Sequence, residues 1–292
     1  MAKMPAAKRA IKPSIAIVGA GSLASALGVA LHGAGYVIDE IVSRGRAASL
    51  RKARRLSAEV DASAVPVTKA QIDADVVWFC VPDGAIASAA ESLRNAADWR
   101  SKVAVHSSGA LTSDELAELR RRGASVASVH PLMTFVHGSQ PPISGVPFAI
   151  EGDPKALRAA RAIVLDLRGQ PFLIRKNYKQ AYHAWGMFVS PLLTALLAAS
   201  ERVAEAAGVR QGAARERMLP IVRQTLANYA ALGAPQSFSG PIARGDVETV
   251  EKHLRVLRAI PTARDVYIAL ARVALRDLPA KNRRALEKLL KD

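Results

Sequence analysis

Four of the six histidines in this chain stand where a histidine could move a proton. His106 opens the stretch His106-Ser107-Ser108-Gly109, and His130 opens His130-Pro131. Each directly follows a β-branched run, so both should emerge at one edge if those runs are parallel strands, and an imidazole there can donate a proton or anchor a substrate. His183 lies on a helical stretch starting near Lys179, where Lys179, His183 and Ser190 fall at i, i+4 and i+11 on one narrow face. Tyr182 points about 100° away from that face. His253 follows the Gly-rich, charged segment Ser239-Gly240-Pro241-Ile242-Ala243-Arg244-Gly245-Asp246. There Gly240 permits close backbone approach, Arg244 can clamp a carboxylate, and Asp246 is placed to cap the next helix. The candidate catalytic residues are therefore His183, His106 and His130, and the candidate substrate-binding residues are Ser107, Ser190, Gly240, Arg244 and His253. For each histidine a satisfied structural role competes with the chemical one. No two histidines show HxxxH or HExxH spacing, so no metal is expected.

A second constellation points to a nucleotide. Gly19-Ala20-Gly21-Ser22-Leu23-Ala24 follows the apolar run Ile15-Ala16-Ile17-Val18 and opens a helical pattern. In that context a GxGxxA segment reads as a dinucleotide fingerprint. The first glycine allows the turn, the second lets the backbone approach a pyrophosphate, and the small third residue keeps the helix against the sheet. Asp39 lies about twenty residues on, where an NAD-type acid is sought, but the run continues apolar beyond it. The residues ending that run are Ser43 and Arg44, with Arg46 next but one. A hydroxyl and a guanidinium suit an adenosine 2′-phosphate, so the expected cofactor is NADP. Val81-Pro82-Asp83 ends a strand that should lie at the crevice, its backbone lining the cofactor and Asp83 capping the helix that follows. The expected cofactor-binding set is Gly19, Ala20, Gly21, Ser22, Leu23, Ser43, Arg44, Val81, Pro82 and Asp83.

The elements that must position these residues alternate. Predicted strands are 15–18, 37–42, 76–81, 102–105, 124–129, 148–150 and 171–174; predicted helices between them are 22–32, 47–58, 112–121 and 154–167. Such alternation implies an α/β chain with a doubly wound, mostly parallel sheet. Beyond Asn177 the strand signal ends and helical pattern dominates. The expected organisation is a disordered basic tail over 1–13, a Rossmann domain over 14–176, and an all-helical substrate and dimerisation domain over 177–292.

Bulk properties narrow the class. With 292 residues, 50% hydrophobic and 23% charged, the chain can bury a sizeable core. One cysteine, Cys80, forms no intramolecular disulfide and fits strand packing in a reducing compartment. The net charge of +16 raises nucleic acid as a partner. The basic clusters at 51–55, 120–122 and 281–284 lack interleaved aromatics, however, and read as solvated helix faces that favour small anions. Ala181–Ser200 carries no charged side chain but contains His183, Ser190, Pro191 and Thr194, which predicts a buried helix and no membrane span. The N-terminus has no apolar signal segment, and a cytoplasmic location is expected.

Taken together, Gly19-Ala20-Gly21, Ser43-Arg44, Val81-Pro82-Asp83, His106-Ser107-Ser108-Gly109, His130-Pro131 with Phe135, Tyr182-His183 and Gly240–Asp246 with His253 resemble a bacterial family. In it a Rossmann-like oxidoreductase domain precedes a domain of unknown function, DUF2520. The family is similar to pyrroline-5-carboxylate reductase, ketopantoate reductase and the β-hydroxyacid dehydrogenases. The resemblance implies NADP-linked hydride transfer to a small anionic C=O or C=N compound held between the two domains, and a homodimer through the helical one. It departs at Ser190, where family members carry Asn, and at Gly186, where β-hydroxyacid dehydrogenases carry a catalytic Lys; His183 then becomes the preferred donor. The alternative is a non-enzymatic NADP-binding regulatory protein.

Overall fold

A computed structural model describes residues 12–139 and 141–291. The chain divides into two compact units, 1–187 and 188–292. The expected basic tail falls largely outside the described residues, but Lys12 is docked: its ammonium donates to the Ala34 carbonyl at 2.9 Å and pairs with Asp166.

The first unit is built on one eight-stranded sheet. Its strands are β1 (Ile15–Val18), β2 (Ile38–Ser43), β3 (Ser63–Pro66), β4 (Val76–Phe79), β5 (Val103–His106), β6 (Ser125–Pro131), β7 (Pro147–Gly152) and β8 (Gln170–Leu173). The spatial order is β3-β2-β1-β4-β5-β6-β7-β8, parallel except between β6 and β7. Helices α1 (Ser22–Gly33), α2 (Ala47–Glu59), α3 (Ile86–Ser92), α4 (Ala117–Arg121) and α5 (Pro154–Asp166) connect the strands. Alternate strand residues feed two cores, as a pleat requires. Ile15, Ile17 and Trp78 pack on one face with Leu27 and Leu56, whereas Ala16, Val18 and Phe79 pack on the other with Ile86 and Trp99.

This fold bears out the doubly wound sheet with a helical C-terminal region. Register aligns the strand ends that matter: Val18 pairs with Phe79, Phe79 with His106, and His106 with Ser128. The carboxyl ends of β1, β4, β5 and β6 thus share one edge, and the chain order reverses at β1, where open α/β sheets bind ligands.

After a short 3₁₀ turn come α6 (Lys179–Val189), α7 (Pro191–Ala206), α8 (Gln211–Ser237), α9 (Pro241–Arg244), α10 (Val247–Leu257), α11 (Pro261–Asp277) and α12 (Arg283–Leu289). The second unit has its own core of Val250, Leu254, Ile268, Leu275 and Leu286. Within 176–206 an 18-residue window has a mean hydropathy of 1.3, apolar and long enough to cross a membrane by length and composition. The expectation that Ala181–Ser200 forms a buried helix is not met. The helix breaks at Ser190 (φ −132°, ψ −77°), because the residue before a proline is driven out of the helical region. Its apolar side chains, among them Trp185, Phe188 and Leu192, are largely exposed in the single chain.

Candidate functional site

Two groups of residues occupy the carboxyl edge of the sheet. The first lines a cavity of about 400 Å³ beyond β1, β2 and β4, bounded by Gly19, Ala20 and Gly21, by Ser43 and Arg44, and by Cys80, Val81 and Pro82. Gly19 has φ +112°, and a Cβ there would lie 2.4 Å from the Cys80 carbonyl oxygen, so no other residue fits this turn. A Cβ on Gly21 would meet nothing within 4 Å, which leaves open space at the start of α1 where backbone N–H groups are free for an anion. The Ser43 hydroxyl is buried and makes no hydrogen bond among the described residues. A buried hydroxyl without a partner is costly, and this one borders a cavity also lined by Arg44 and Lys52. Orphaned hydroxyl, two cations and glycine cradle together suit a dinucleotide carrying a 2′-phosphate.

Not every expected cofactor residue sits there. Ser22 and Leu23 begin α1 but do not line the cavity, and neither does Asp83. Nor does Asp83 cap a helix: it lies exposed in a 3₁₀ turn and its side chain makes no capping bond. Asp39 is the second residue of β2, far from that strand's carboxyl end. Lys52 is the residue that sequence reasoning missed. It stands in the basic run 51–55 of α2, which read as a solvated face. Its signal was position: three residues beyond Ser49, it presents its ammonium on the same side of α2, toward the end of β2. Cys80 also lines this cavity, and burial pushes its thiol up to about 12, so it stays protonated.

The second group surrounds Gly109. His106, at the end of β5, is fully buried; its Nε2 meets the Thr112 carbonyl at 2.9 Å and its Nδ1 accepts from the Ser108 N–H at 3.1 Å. Both nitrogens are committed, and burial holds the ring neutral by lowering its pKa to about 4. These contacts tie His106, one of the expected catalytic residues, to the backbone of the turn that follows β5. Ser107 is likewise engaged, accepting from Trp78 Nε1 at 2.8 Å.

His130 and His183 flank Gly109. A Cβ added there would lie 2.8 Å from His130 Nε2 and 3.0 Å from His183 Cδ2, so only a glycine lets both rings approach. His130 Nδ1 meets the Tyr182 hydroxyl at 2.7 Å, and the two rings pack edge to face. Lys179 is fully buried one helical turn before His183. Its ammonium donates to the Ser108 carbonyl at 2.7 Å and to Ser128 Oγ at 2.6 Å, and burial lowers its pKa to about 8. Spacing placed Lys179 on one face with His183 but turned Tyr182 away; α6 brings both to the site, Lys179 through Ser128 of β6 and Tyr182 through His130.

The remaining expected residues lie in the second unit. Ser190 is the break before α7, one residue past the end of α6, so the helical spacing that put it on a face with Lys179 and His183 does not extend to it. Gly240 (φ +100°) precedes α9, Arg244 ends it with an exposed side chain, and Asp246 caps α10 by accepting from the Thr249 N–H at 3.0 Å. His253 meets the Tyr267 hydroxyl at 3.1 Å on the wall of an apolar cavity of about 580 Å³. Arg244 and Gly240 do not line that cavity.

Residues 3–131 match the model of a Rossmann-like domain, and residues 146–274 match that of a domain of unknown function, DUF2520. No curated protein matches the sequence. Three solved structures are similar over nearly the whole chain. A candidate NADP oxidoreductase from Bacteroides fragilis has a TM-score of 0.75 at 21% identity, covering 90% of this chain and 97% of its own. A Thermotoga maritima protein has a TM-score of 0.70 at 24% identity, covering 95% and 98%. A pyrroline-5-carboxylate reductase from Coxiella burnetii has a TM-score of 0.59 at 15% identity, covering 96% and 99%. At these identities the likeness establishes the shared fold.

Proposed function

We propose that this chain, which joins a Rossmann-like domain to a DUF2520 domain, is an NADP-dependent reductase of a small anionic C=O or C=N compound. The observation that carries the reading is the buried, unpartnered Ser43 hydroxyl beside Arg44 and Lys52, in a cavity that opens from the glycine turn. Gly19, Ala20 and Gly21 would hold the pyrophosphate, Ser43, Arg44 and Lys52 the 2′-phosphate, and Val81 and Pro82 the adjoining part of the cofactor. NADPH, when bound, supplies the hydride. The similar structures named as NADP oxidoreductase and pyrroline-5-carboxylate reductase support the same class.

The chain's own part in the chemistry is proton supply and orientation. His183 is half-buried and reaches the surroundings of Gly109, so it can give a proton to an oxygen or nitrogen that gains charge there. Lys179 holds the Ser108 carbonyl and thereby the turn on which Gly109 sits. The overall positive charge favours an anionic substrate.

Calorimetric titration tests the cofactor assignment. NADPH should bind more tightly than NADH. Arg44→Ala should weaken NADPH by about 10- to 100-fold, the worth of a charge-assisted phosphate contact, with little effect on NADH. Lys52→Ala should act in the same direction. Equal losses for both dinucleotides would remove the 2′-phosphate assignment, and no binding of either would remove the reductase reading.

A further inference from the structure

The Tyr182–His130 pair has a direction. Tyr182 is buried, and its hydroxyl has one hydrogen-bond partner among the described residues, His130 Nδ1. A phenol that accepted this bond would leave its own hydrogen buried without an acceptor, so the hydroxyl donates and Nδ1 accepts. A neutral imidazole accepting at Nδ1 carries its hydrogen on Nε2. That Nε2 makes no hydrogen bond among the described residues, and it stands beside Gly109. The Gly109 N–H also lacks a partner among the described residues, although Gly109 is buried.

The surroundings strengthen both donors. The Ser108 carbonyl accepts from Lys179 Nζ and from Ser128 Oγ, which polarises the Ser108–Gly109 peptide and makes its N–H a better donor. The His130 ring stays neutral near pH 7. Burial lowers its pKa to about 4, and the Lys179 charge acts in the same direction.

We propose that the reacting group accepted beside Gly109 is a carbonyl and not an iminium, its oxygen held by His130 Nε2–H, with Tyr182 as the residue that positions that hydrogen, and by the Gly109 N–H. This choice rests on the reductase reading and decides between its two substrate classes. A carbonyl oxygen offers lone pairs, and it gains negative charge when hydride from a reduced nicotinamide adds to the carbonyl carbon and the C=O π pair moves onto oxygen. Fixed N–H donors and the nearby Lys179 cation stabilise that charge with little reorganisation. His183 then supplies the proton that completes the alcohol. An iminium presents its own N–H and a positive charge to the same donors and the same cation, and is repelled by both.

Nitrogen-resolved NMR of the full, uniformly nitrogen-labelled chain reads the tautomer directly. The expected spectrum shows His130 neutral at pH 7 with hydrogen on Nε2. Tyr182→Phe should mix the tautomers while leaving the His106 signals in place, a change that a purely structural tyrosine would not produce. Two probes then read the preference: oxamate, an anionic acceptor, and pyrrolidinium, a cationic donor. In the NADP⁺-loaded chain oxamate should shift the His130 Nε2 and Gly109 N–H resonances, and His130→Gln should weaken it about tenfold. Pyrrolidinium should leave both resonances unmoved. A His130 with hydrogen on Nδ1 or protonated at pH 7, a shift caused by pyrrolidinium, or none caused by oxamate overturns the proposal. NADPH binding persists in each of these outcomes, so failure here is separate from failure of the reductase reading.

Discussion

At the scale of single residues, proximity decides which histidine is free to act. His106 spends both nitrogens on backbone groups, whereas His183 has no hydrogen bond holding it among the described residues and keeps its ring beside Gly109. His183→Gln should therefore lower kcat on a carbonyl substrate by about 10²- to 10⁴-fold, the usual worth of a general acid. The NADPH dissociation constant should stay within about twofold, because the phosphate-binding residues lie on other loops. Stopped-flow reduction and equilibrium titration of the variant measure the two quantities separately. An unchanged kcat would mean that the proton comes from water. Histidine positions at strand ends were legible in the sequence, since a parallel sheet sends them to one edge. Their division into structural and free rings was not, because it depends on the Thr112 carbonyl and the Tyr182 hydroxyl, contacts that no spacing reports.

At the scale of elements, β2 carries both the nucleotide signal and a liability. Glu40 is buried on this strand with Oε1 unpartnered; burial first, then Asp39 and Asp73, raises its pKa to about 7. A carboxyl that is harder to ionise when folded binds more protons in the folded state, so its contribution to stability falls as pH rises from its unfolded value to about 7. Glu40→Gln should thus stabilise the protein at pH 8 by up to about 3 kcal/mol and much less at pH 4.5, which denaturant melts at the two values would read. An equal gain at both would assign the effect to packing. The long apolar strands were readable from their β-branched runs, and β1 and the glycine turn were placed correctly. Strand β3 was missed, because Ser63-Ala64-Val65-Pro66 at the sheet edge lacks alternation and ends in proline. The reversal between β6 and β7 was also hidden, because neither strand's composition carries its direction. The helix pattern through Ser190 misled because apolar periodicity continues across a break that Pro191 imposes.

At the scale of the molecule, the second unit leaves apolar surface uncovered. On α8, Ile221, Leu226, Tyr229 and Leu232 are exposed, and the unit's own core involves α10, α11 and α12 and not α8. Large apolar side chains left exposed on one helix suit an association site, and we propose that a second copy of the chain covers them. Analytical ultracentrifugation should give a dimer at micromolar concentration, with Ile221→Lys and Leu226→Lys together shifting it to monomer. A monomer in the unaltered chain at all concentrations would refute this.

The three tryptophans give the molecule an uneven optical map. Trp78 and Trp99 are sealed in the cores of the sheet, and Trp185 stands exposed on α6, so every indole belongs to residues 1–187. Emission from the two buried indoles therefore reports the loss of the sheet, while circular dichroism near 222 nm is weighted toward the helices of residues 188–292. If association is confined to those helices, dilution should move the dichroism midpoint and leave the fluorescence midpoint in place, since only the part that binds a second copy gains stability from concentration. Trp185→Phe should sharpen the comparison by removing the one solvent-exposed emitter. Midpoints that coincide at every concentration would instead show one cooperative unit, with the stability of the sheet tied to the same association.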